Sequence, residues 1–277
     1  MSSPDFVIVG HVTIDVVADG MIPGGTATFA GRMAANLGAR VGVVTSAATD
    51  YPFSAALPNV TIANRAADKS STFENLYRDG VRTQYVRAVA EPLDASAIPA
   101  DWTQASIALL APLTNEVLPS VESAFPGALK AATPQGWLRH WGDDGLVRLW
   151  GWDTLVERLR GLDAVILSEE DVLRDESTIA MLRQEVRLLV VTRGSAGSTL
   201  FENGRAREFA PFPAREIDPT GAGDAFAAAF LVRLAETGDS GAACEFANCA
   251  ASFVVEAVGA TGVPTRAQVE ARLRSHQ

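Results

Sequence analysis

Lysine and cysteine are scarce in this sequence of 277 residues, and each shortage excludes a kind of site. Lysine occurs only at positions 69 and 130, and no Gly-Lys-Ser or Gly-Lys-Thr triplet is present, which excludes a Walker-type phosphate loop. Cys244 and Cys249 lie in an apolar, helix-like segment without a nearby histidine. We therefore interpret both cysteines as reduced core residues rather than metal ligands.

An excess of basic charge and a long apolar run are also missing. Lys and Arg number 23 against 33 Asp and Glu, so the formal net charge is −10, which argues against a nucleic-acid partner. The apolar run at residues 225–232 is far shorter than the roughly 18 residues that span a bilayer. The first residues lack the basic and apolar regions of a secretory signal. We therefore expect a cytoplasmic protein that acts on small molecules, without a membrane partner.

An α/β pattern accounts for most of the chain, and hydrophobic residues make up 48% of it, enough for a large core. Between residues 6 and 192, short apolar strands alternate with helical patterns, which predicts a doubly wound, mostly parallel sheet flanked by helices. Alternating, partly polar strands at about 12–23 and 60–89 predict a small β-lid apart from this sheet. We expect residues 1–277 to form a single domain, with helices at 28–37, 117–124, 154–162, 178–183, 223–236 and 241–258.

The clearest chemical signal is the stretch 217–226, Ile-Asp-Pro-Thr-Gly-Ala-Gly-Asp-Ala-Phe. Gly221 and Gly223 allow an anion to approach the backbone closely, and the start of the following helix supplies N–H groups and a positive dipole end. Gly221, Ala222 and Gly223 are therefore a candidate cradle for a transferring phosphoryl group. Asp224, in the first helical turn, is a candidate general base for a substrate hydroxyl.

Two other interpretations of this stretch are a plain turn before a helix and a dinucleotide-binding loop. The glycines alone do not distinguish a turn from an anion site. A dinucleotide fingerprint needs a third Gly or Ala at its sixth position, which is Phe226 here, and it normally follows the first strand of its unit. Hydride-transfer chemistry is therefore disfavoured.

The seven residues from Asp218 to Asp224 resemble the signature of the ribokinase-like, or PfkB, family of carbohydrate kinases. The resemblance extends to Gly24-Gly25 before a helix, and to 248–255 and 259–264, which are similar to the family's adenine-side helix and closing loop. It implies a ribokinase-like fold and a kinase that uses ATP and Mg²⁺ to phosphorylate a hydroxyl of a sugar, polyol or nucleoside beneath the lid. A monovalent cation and a homodimer of paired lids are also compatible with the family.

The resemblance also assigns roles by position on the acceptor side. Asp224 is the expected base, and Gly221, Ala222 and Gly223 form the expected anion hole. Asp15 matches the family's hydroxyl-binding aspartate, which can accept two hydrogen bonds from neighbouring hydroxyls. The alternative for Asp15 is a charge facing water on an edge strand.

Gly24 and Gly25 would bring backbone close to the substrate, and the alternative for them is a plain turn before a helix. On the nucleotide side, Thr192, Gly194 and Gly197 are similar to the family's Thr-x-Gly-x-x-Gly turn. The alternative is that these residues only form a β-turn, in which case they are not evidence of a nucleotide site.

Asn248 lies in the segment that resembles the adenine-side helix. The segment Ser168-Glu169-Glu170-Asp171 falls where the family usually has Asn-x-x-Glu, with Ser168 in place of Asn and Asp171 in place of Glu. Since both Glu170 and Asp171 offer carboxylate oxygens, which Mg²⁺ prefers, the carboxylate on the magnesium side stays open between them.

Phe29 stands where ribokinase has a substrate-binding asparagine, and Arg139 ends the segment Gln-Gly-Trp-Leu-Arg that is similar to inositol-kinase-like members. The resemblance therefore favours a neutral cyclic polyol of the inositol type, with hydroxyls on Asp15 and a C–H face against Phe29. The alternative for Phe29 is packing into the core between helix and sheet.

Other acceptors stay open at this point. Arg78, Arg82 and Arg87, on or near the lid, could bind the phosphate of a sugar phosphate, although such arginines usually form a solvated face. Another sugar or a nucleoside is also compatible with the family. A ligand-binding relative without catalysis is the competing class, supported only by the altered Asn-x-x-Glu segment, and the presence of Asp224 and both loop glycines argues against it.

Overall fold

The computed structural model describes residues 3–17, 20–78, 81–149 and 152–276. The strands are β1 Phe6–Val9, β2 Thr13–Val17, β3 Gly20–Gly24, β4 Val41–Ala47, β5 Thr61–Ala66, β6 Ser71–Arg78, β7 Val81–Ala88, β8 Ile107–Leu110, β9 Leu129–Ala132, β10 Arg139–His140, β11 Arg148–Leu149, β12 Ala164–Ser168, β13 Leu188–Thr192, β14 Ser198–Glu202 and β15 Arg205–Phe209. The helices are α1 Thr26–Asn36, α2 Phe53–Ala56, α3 Trp152–Leu159, α4 Glu176–Glu185, α5 Ala222–Thr237, α6 Ser240–Val254 and α7 Arg266–Arg274.

A nine-stranded sheet forms the centre, in the order β15-β14-β13-β12-β9-β8-β1-β4-β5. The pairings from β13 through β5 are parallel, and only β14 and β15 are added antiparallel at one edge. Such a sheet, flanked by helices, is the predicted doubly wound α/β fold. The predicted fold class is confirmed.

Strand β1 shows why the sheet is covered on both faces. Phe6 and Ile8 belong to one core cluster with residues of α1, α5 and α6, whereas Val7 and Val9 belong to a second cluster with residues of α3 and α4. Successive side chains of a strand point to opposite faces, so an uninterrupted apolar strand requires a helical layer on each side.

The lid is a separate four-stranded sheet in the order β3-β2-β6-β7. The segment predicted as lid from about 60 to 89 divides between the two sheets. Strand β5 pairs in parallel with β4 at the edge of the large sheet, and only β6 and β7 join β2 and β3. The half-exposed edge position of β5 explains its polar alternation, which the sequence pattern does not distinguish from that of a lid strand.

Two predicted helices differ from the structure. The segment Pro119–Ala124 is a 3₁₀ helix rather than an α-helix. Helix α6 ends at Val254, short of residue 258, and the next carbonyl, that of Val255, accepts backbone hydrogen bonds from Ile217 and Asp218. This contact ties the glycine-rich stretch to the end of α6. Within the described ranges, no helix is long and apolar enough to cross a membrane.

Candidate active site

A cavity of about 980 Å³ lies between the lid and the carboxyl ends of the central strands. Asp15 and Asn75 line it on the lid side, Asp224 lies on its wall, and Gly197 and Asn248 line its other end. Its volume is at the upper end of the roughly 300–1,000 Å³ that is typical of small-molecule sites. The cavity therefore has room for an acceptor and a phosphoryl donor side by side.

The glycine-rich loop before α5 has the geometry of an anion site. Asp218 fixes the loop, since its Oδ1 accepts from the N–H of Thr220 at 3.0 Å and its Oδ2 accepts from the N–H of Gly259 at 3.0 Å. Gly221 precedes α5 with φ 77°, in the left-handed region that favours glycine. Gly223 is exposed, and a Cβ added there would meet no atom within 4 Å. The N–H of Ala222, the first of α5, donates to the carbonyl of Pro219 over a long 3.3 Å. The N–H groups of the first helical turn have no partner within the helix, so the start of α5 can receive an anion.

The Asp224 carboxylate is held by residues from two distant segments. Thr26, at the start of α1, donates its hydroxyl to Asp224 Oδ1 over 2.8 Å. Gln135 Nε2 lies 3.3 Å from Thr26 Oγ1 and 3.5 Å from Asp224 Oδ1. Arg139 in turn donates from Nη2 to Gln135 Oε1. We call Thr26, Gln135 and Asp224 with Arg139 the carboxylate network.

The protonation of Asp224 reflects this environment. Burial raises the pKa of Asp224 to about 6, and the Asp171 and Asp15 carboxylates act in the same direction, whereas the Thr26 hydrogen bond and the Arg139 charge oppose the rise. A carboxylate of this pKa is mostly ionised at neutral pH and still basic enough to accept a proton. These are the properties required of a general base.

The lid side of the cavity contains Asp15 on β2, and we call it the acceptor end because the acceptor is predicted to bind there. Thr13 Oγ1 lies 3.5 Å from Asp15 Oδ1. A Cβ added at Gly24 would lie 2.2 Å from Asp15 Oδ2, so glycine is required there for the carboxylate to keep its place. Gly25 precedes α1 with φ 86°, again a glycine conformation. The two glycines thus position both Asp15 and the start of the helix that carries Thr26.

Polar groups of the lid face the same end. Asn75 on β6 and Gln84 on β7 line the cavity and are joined by a hydrogen bond of 3.0 Å from Gln84 Nε2 to Asn75 Oδ1. Arg139 is buried, and its guanidinium lies 5.5 Å from the centre of the Phe73 ring on β6. The acceptor end therefore presents one carboxylate, two amides and one guanidinium.

The carboxylates beside β12 differ in their surroundings. The Ser168 N–H donates to Asp171 Oδ2 at 2.9 Å, and Asp171 is half-buried and close enough to Asp224 to raise the pKa of Asp224. Glu170 has a side chain 75% exposed, and Glu169 is paired with Arg193 at 2.8 Å. In the described part of the chain, no three His, Cys, Asp or Glu side chains cluster as a metal site. A magnesium ion here would need phosphate oxygens or water among its ligands.

The predicted nucleotide turn begins where β13 ends. Thr192 is the last residue of β13, and its hydroxyl donates to the carbonyl of Leu167 at 3.3 Å. Gly194 and Gly197 have φ values of 54° and 88°, and a Cβ at Gly197 would lie 2.1 Å from the carbonyl oxygen of Phe209. Both glycines are thus required by the backbone, and Thr192, Gly194 and Gly197 all line the cavity.

Comparison with known proteins shows which kinases this chain is similar to. A cytidine kinase of Thermococcus kodakarensis is 27% identical over 82% of this chain and 87% of its own length. A ribokinase of Bacillus subtilis is 46% identical over 30% of this chain and 28% of its own. Residues 162–266 match the family described as pfkB family carbohydrate kinase. Over this part, 105 of the 277 residues, the chain matches the PfkB family of carbohydrate kinases.

A solved structure supports the fold over nearly the whole chain. It is a pyrophosphate-dependent kinase of the ribokinase family in complex with a pyrophosphate analogue and myo-inositol. It superimposes with a TM-score of 0.82 over 96% of this chain and 99% of its own. At 19% sequence identity, the similarity establishes a shared fold.

Phe29 and Asn248 occupy supporting positions in the kinase. The Phe29 ring is 1% exposed and lies beneath Gly221, where an added Cβ would be 2.2 Å from it. The Asn248 amide nitrogen donates to Ser198 Oγ at 3.0 Å and lies near the carbonyls that end β15. Both residues line the cavity, and contact of Phe29 with an acceptor or of Asn248 with a nucleotide stays a prediction.

Arg87, the lid arginine whose side chain the structure describes, contacts other lid residues. Arg87 is exposed and pairs with Glu74 across β6 and β7, while its guanidinium lies over the ring of Tyr85. The side chains of Arg78 and Arg82 lie outside the described part of the chain. The geometry of Arg87 is that of a solvated strand face rather than of a phosphate-binding residue.

Sequence reasoning missed Thr26, Asn75 and Gln84, and it quoted Gln135 without a role. Thr26 directly follows Gly24-Gly25, so its position next to a glycine turn is the signal that could have identified it. Asn75 and Gln84 are polar residues at inward positions of alternating strands. Their convergence becomes visible only when β6 and β7 are paired.

Proposed function

We propose that this kinase transfers the terminal phosphoryl group of ATP to a hydroxyl of a neutral cyclic polyol of the inositol type. The observation that carries the proposal is the ionisable Asp224 at the start of α5, between Asp15 and the open backbone at Gly223. Asp15 is close enough to Asp224 to contribute to its raised pKa, so a hydroxyl held by Asp15 would lie near the proposed base.

The residues divide the reaction between them. The Asp224 carboxylate accepts the proton of the acceptor hydroxyl while that oxygen forms a bond to phosphorus, and the bond between phosphorus and the bridging oxygen of ADP breaks. The backbone N–H groups of Gly221, Ala222 and Gly223 stabilise the charge on the transferring group. Asp15 orients the acceptor through hydrogen bonds to its other hydroxyls.

ATP is proposed as donor because apolar side chains line the cavity together with the predicted nucleotide turn. Phe212, Ala251 and Val255 line the cavity together with Asn248, and a base would have apolar faces and one amide to contact. Asp171 is the residue we propose to hold Mg²⁺, with Glu170 at the solvent side. The ion would neutralise phosphate charge during transfer.

The polyol is favoured by Asp15 and by the amides of Asn75 and Gln84, which offer donors and acceptors to several hydroxyls. The myo-inositol of the structural relative supports the same class. A nucleoside acceptor is the second candidate, because the cytidine kinase aligns with most of the chain.

A substrate panel tests the proposal. ADP formation from ATP and Mg²⁺ is measured with myo-inositol, ribose, fructose, cytidine and fructose 1-phosphate, and pyrophosphate replaces ATP in a parallel series with phosphate release as the readout. The highest kcat/KM is expected for myo-inositol with ATP. A phosphorylated sugar or cytidine as best acceptor overturns the polyol assignment, and pyrophosphate as the better donor overturns the ATP assignment. Calorimetric binding without product would indicate a ligand-binding relative.

A further inference from the structure

The hydrogen bonds received by Asp224 fall on one of its two carboxylate oxygens. Thr26 donates to Oδ1 at 2.8 Å, and Gln135 Nε2 lies 3.5 Å from the same atom. Among the described residues, none forms a hydrogen bond with Oδ2. A carboxylate held by one oxygen keeps the other in a defined direction.

The donors themselves are oriented by further contacts. Gln135 Oε1 accepts from Arg139 Nη2, so the amide nitrogen of Gln135 is directed toward Thr26 and Asp224. Gln135 Nε2 in turn donates to Thr26 Oγ1, which leaves the hydroxyl hydrogen of Thr26 for Asp224. Thr26 is fully buried, so water does not compete for this hydroxyl.

We propose that Thr26 and Gln135 are positioning residues that hold Oδ1 of Asp224, so that Oδ2 is the atom that accepts the proton of the acceptor hydroxyl. The proposal rests on the proposed role of Asp224 as general base. In the step, the O–H bond of the acceptor breaks and its hydrogen bonds to Oδ2. The hydroxyl oxygen uses its electron pair to form the new bond to phosphorus, while the bond between phosphorus and the bridging oxygen breaks and that oxygen leaves with ADP.

The charged and polar groups around Asp224 predict the direction in which its pKa should change when the Thr26 hydroxyl is removed. Arg139 from β10 and the Thr26 hydroxyl from α1 favour the ionised form, whereas burial and the Asp171 and Asp15 carboxylates favour the neutral form. Loss of the Thr26 donor should therefore raise the pKa of Asp224 above about 6. Because the base must be ionised, the rate on the acid side should then begin to fall at a higher pH.

Thr26→Val and Thr26→Ser form the decisive pair. Valine matches threonine in shape but has no hydroxyl, whereas serine keeps the donor. Thr237→Val, at the exposed far end of α5, is the matched control. Single-turnover rates are measured from pH 5 to 8, and the carboxyl ¹³C signal of Asp224 is titrated by NMR in the enzyme without substrates.

We expect Thr26→Val to lower the single-turnover rate about tenfold, the usual scale for a lost hydrogen bond to a charged group. Its acid limb and its NMR titration should both move to higher pH, with Thr26→Ser and Thr237→Val close to wild type. Gln135→Leu should move both in the same direction by less, since its contact with Oδ1 is longer. Thermal unfolding and ATP calorimetry verify that each variant is folded.

An unmoved NMR titration and acid limb in folded Thr26→Val would overturn the proposal, as would an equal loss in Thr26→Ser. Asp224→Asn separates this failure from failure of the proposed function. If Asp224→Asn is inactive and Thr26→Val is normal, only the positioning role is wrong. If Asp224→Asn keeps the wild-type rate, the general-base assignment itself is wrong, and the NMR titration still reports whether Thr26 controls the carboxylate.

Discussion

The two ends of the cavity are built in different ways. The proposed anion site before α5 is made from the backbone of one short stretch, in which Gly221 has a left-handed φ and Gly223 has open space beside it. The acceptor end is made from side chains of separate strands, among them Asp15, Asn75 and Gln84. The family match at 162–266 includes the first end and excludes those three residues. One motif is therefore enough to predict the phosphoryl-transfer site, whereas the residues proposed to select the acceptor are dispersed along the chain.

Asp224→Asn should have the largest effect on this comparison, since it removes the proposed base between the two ends. Loss of a general base typically lowers the rate by about 10²–10⁴, so we expect kcat to fall by at least about 10² with ATP and acceptor binding nearly unchanged. Steady-state kinetics measures kcat, and calorimetry measures the binding of ATP and of the acceptor. The control is Asp68→Asn, which changes an exposed carboxylate away from the cavity. A near-normal rate in Asp224→Asn would show that the Asp224 carboxylate has no part in the mechanism.

Gly223→Val tests the backbone end alone. A branched side chain would enter the space where phosphate meets the first N–H groups of α5, and losing one such donor costs about 10²–10³ in rate. We expect kcat to fall about 10² for every acceptor alike. Gly127→Val is matched, because Gly127 is also exposed with nothing within 4 Å of an added Cβ. Wild-type turnover in Gly223→Val would contradict the anion-hole assignment.

Asp15→Asn tests the acceptor end alone. Hydrogen bonds to a charged group are stronger than those to a neutral one, so we expect kcat/KM for the acceptor to fall about tenfold or more while the KM for ATP stays constant. Gly24→Ala should have a similar pattern, since its Cβ would displace Asp15 Oδ2. If Asp15→Asn lowers kcat/KM for ATP as much as kcat/KM for the acceptor, the two ends of the cavity do not act separately.

Arg87→Ala should have the smallest effect. Its ion pair with Glu74 is exposed, and such pairs contribute about 0–1 kcal/mol. We expect kcat/KM for the acceptor to change by less than about threefold in Arg87→Ala. The control Glu74→Ala, which removes the other partner of the ion pair, should change kcat/KM equally little. A selective loss for fructose 1-phosphate in Arg87→Ala alone would instead place this arginine at a substrate phosphate.

The same contrast explains what the sequence could and could not predict. The glycine loop and Asp224 are contiguous, so their chemistry is visible in seven residues. Thr26 and Asp224 are separated by 198 positions, and no local pattern indicates that α1 and α5 pack together. Strand β5 was assigned to the lid because edge strands of either sheet alternate alike. The position of the Phe29 ring beneath Gly221 is likewise a tertiary contact, so the sequence leaves open whether Phe29 contacts the acceptor or packs into the core.

The Phe29 ring beneath Gly221 also has a consequence for how the protein acquires its activity during synthesis. The floor of the phosphate site belongs to α1, near the start of the chain, and its loop belongs to the last third. A ribosome-bound chain therefore carries α1 without its partner until α5 has emerged. The segment 162–266 made alone would contain the loop but not the ring below it. We expect such a fragment not to bind phosphate, so the family signature is not a module that can be transplanted into another protein.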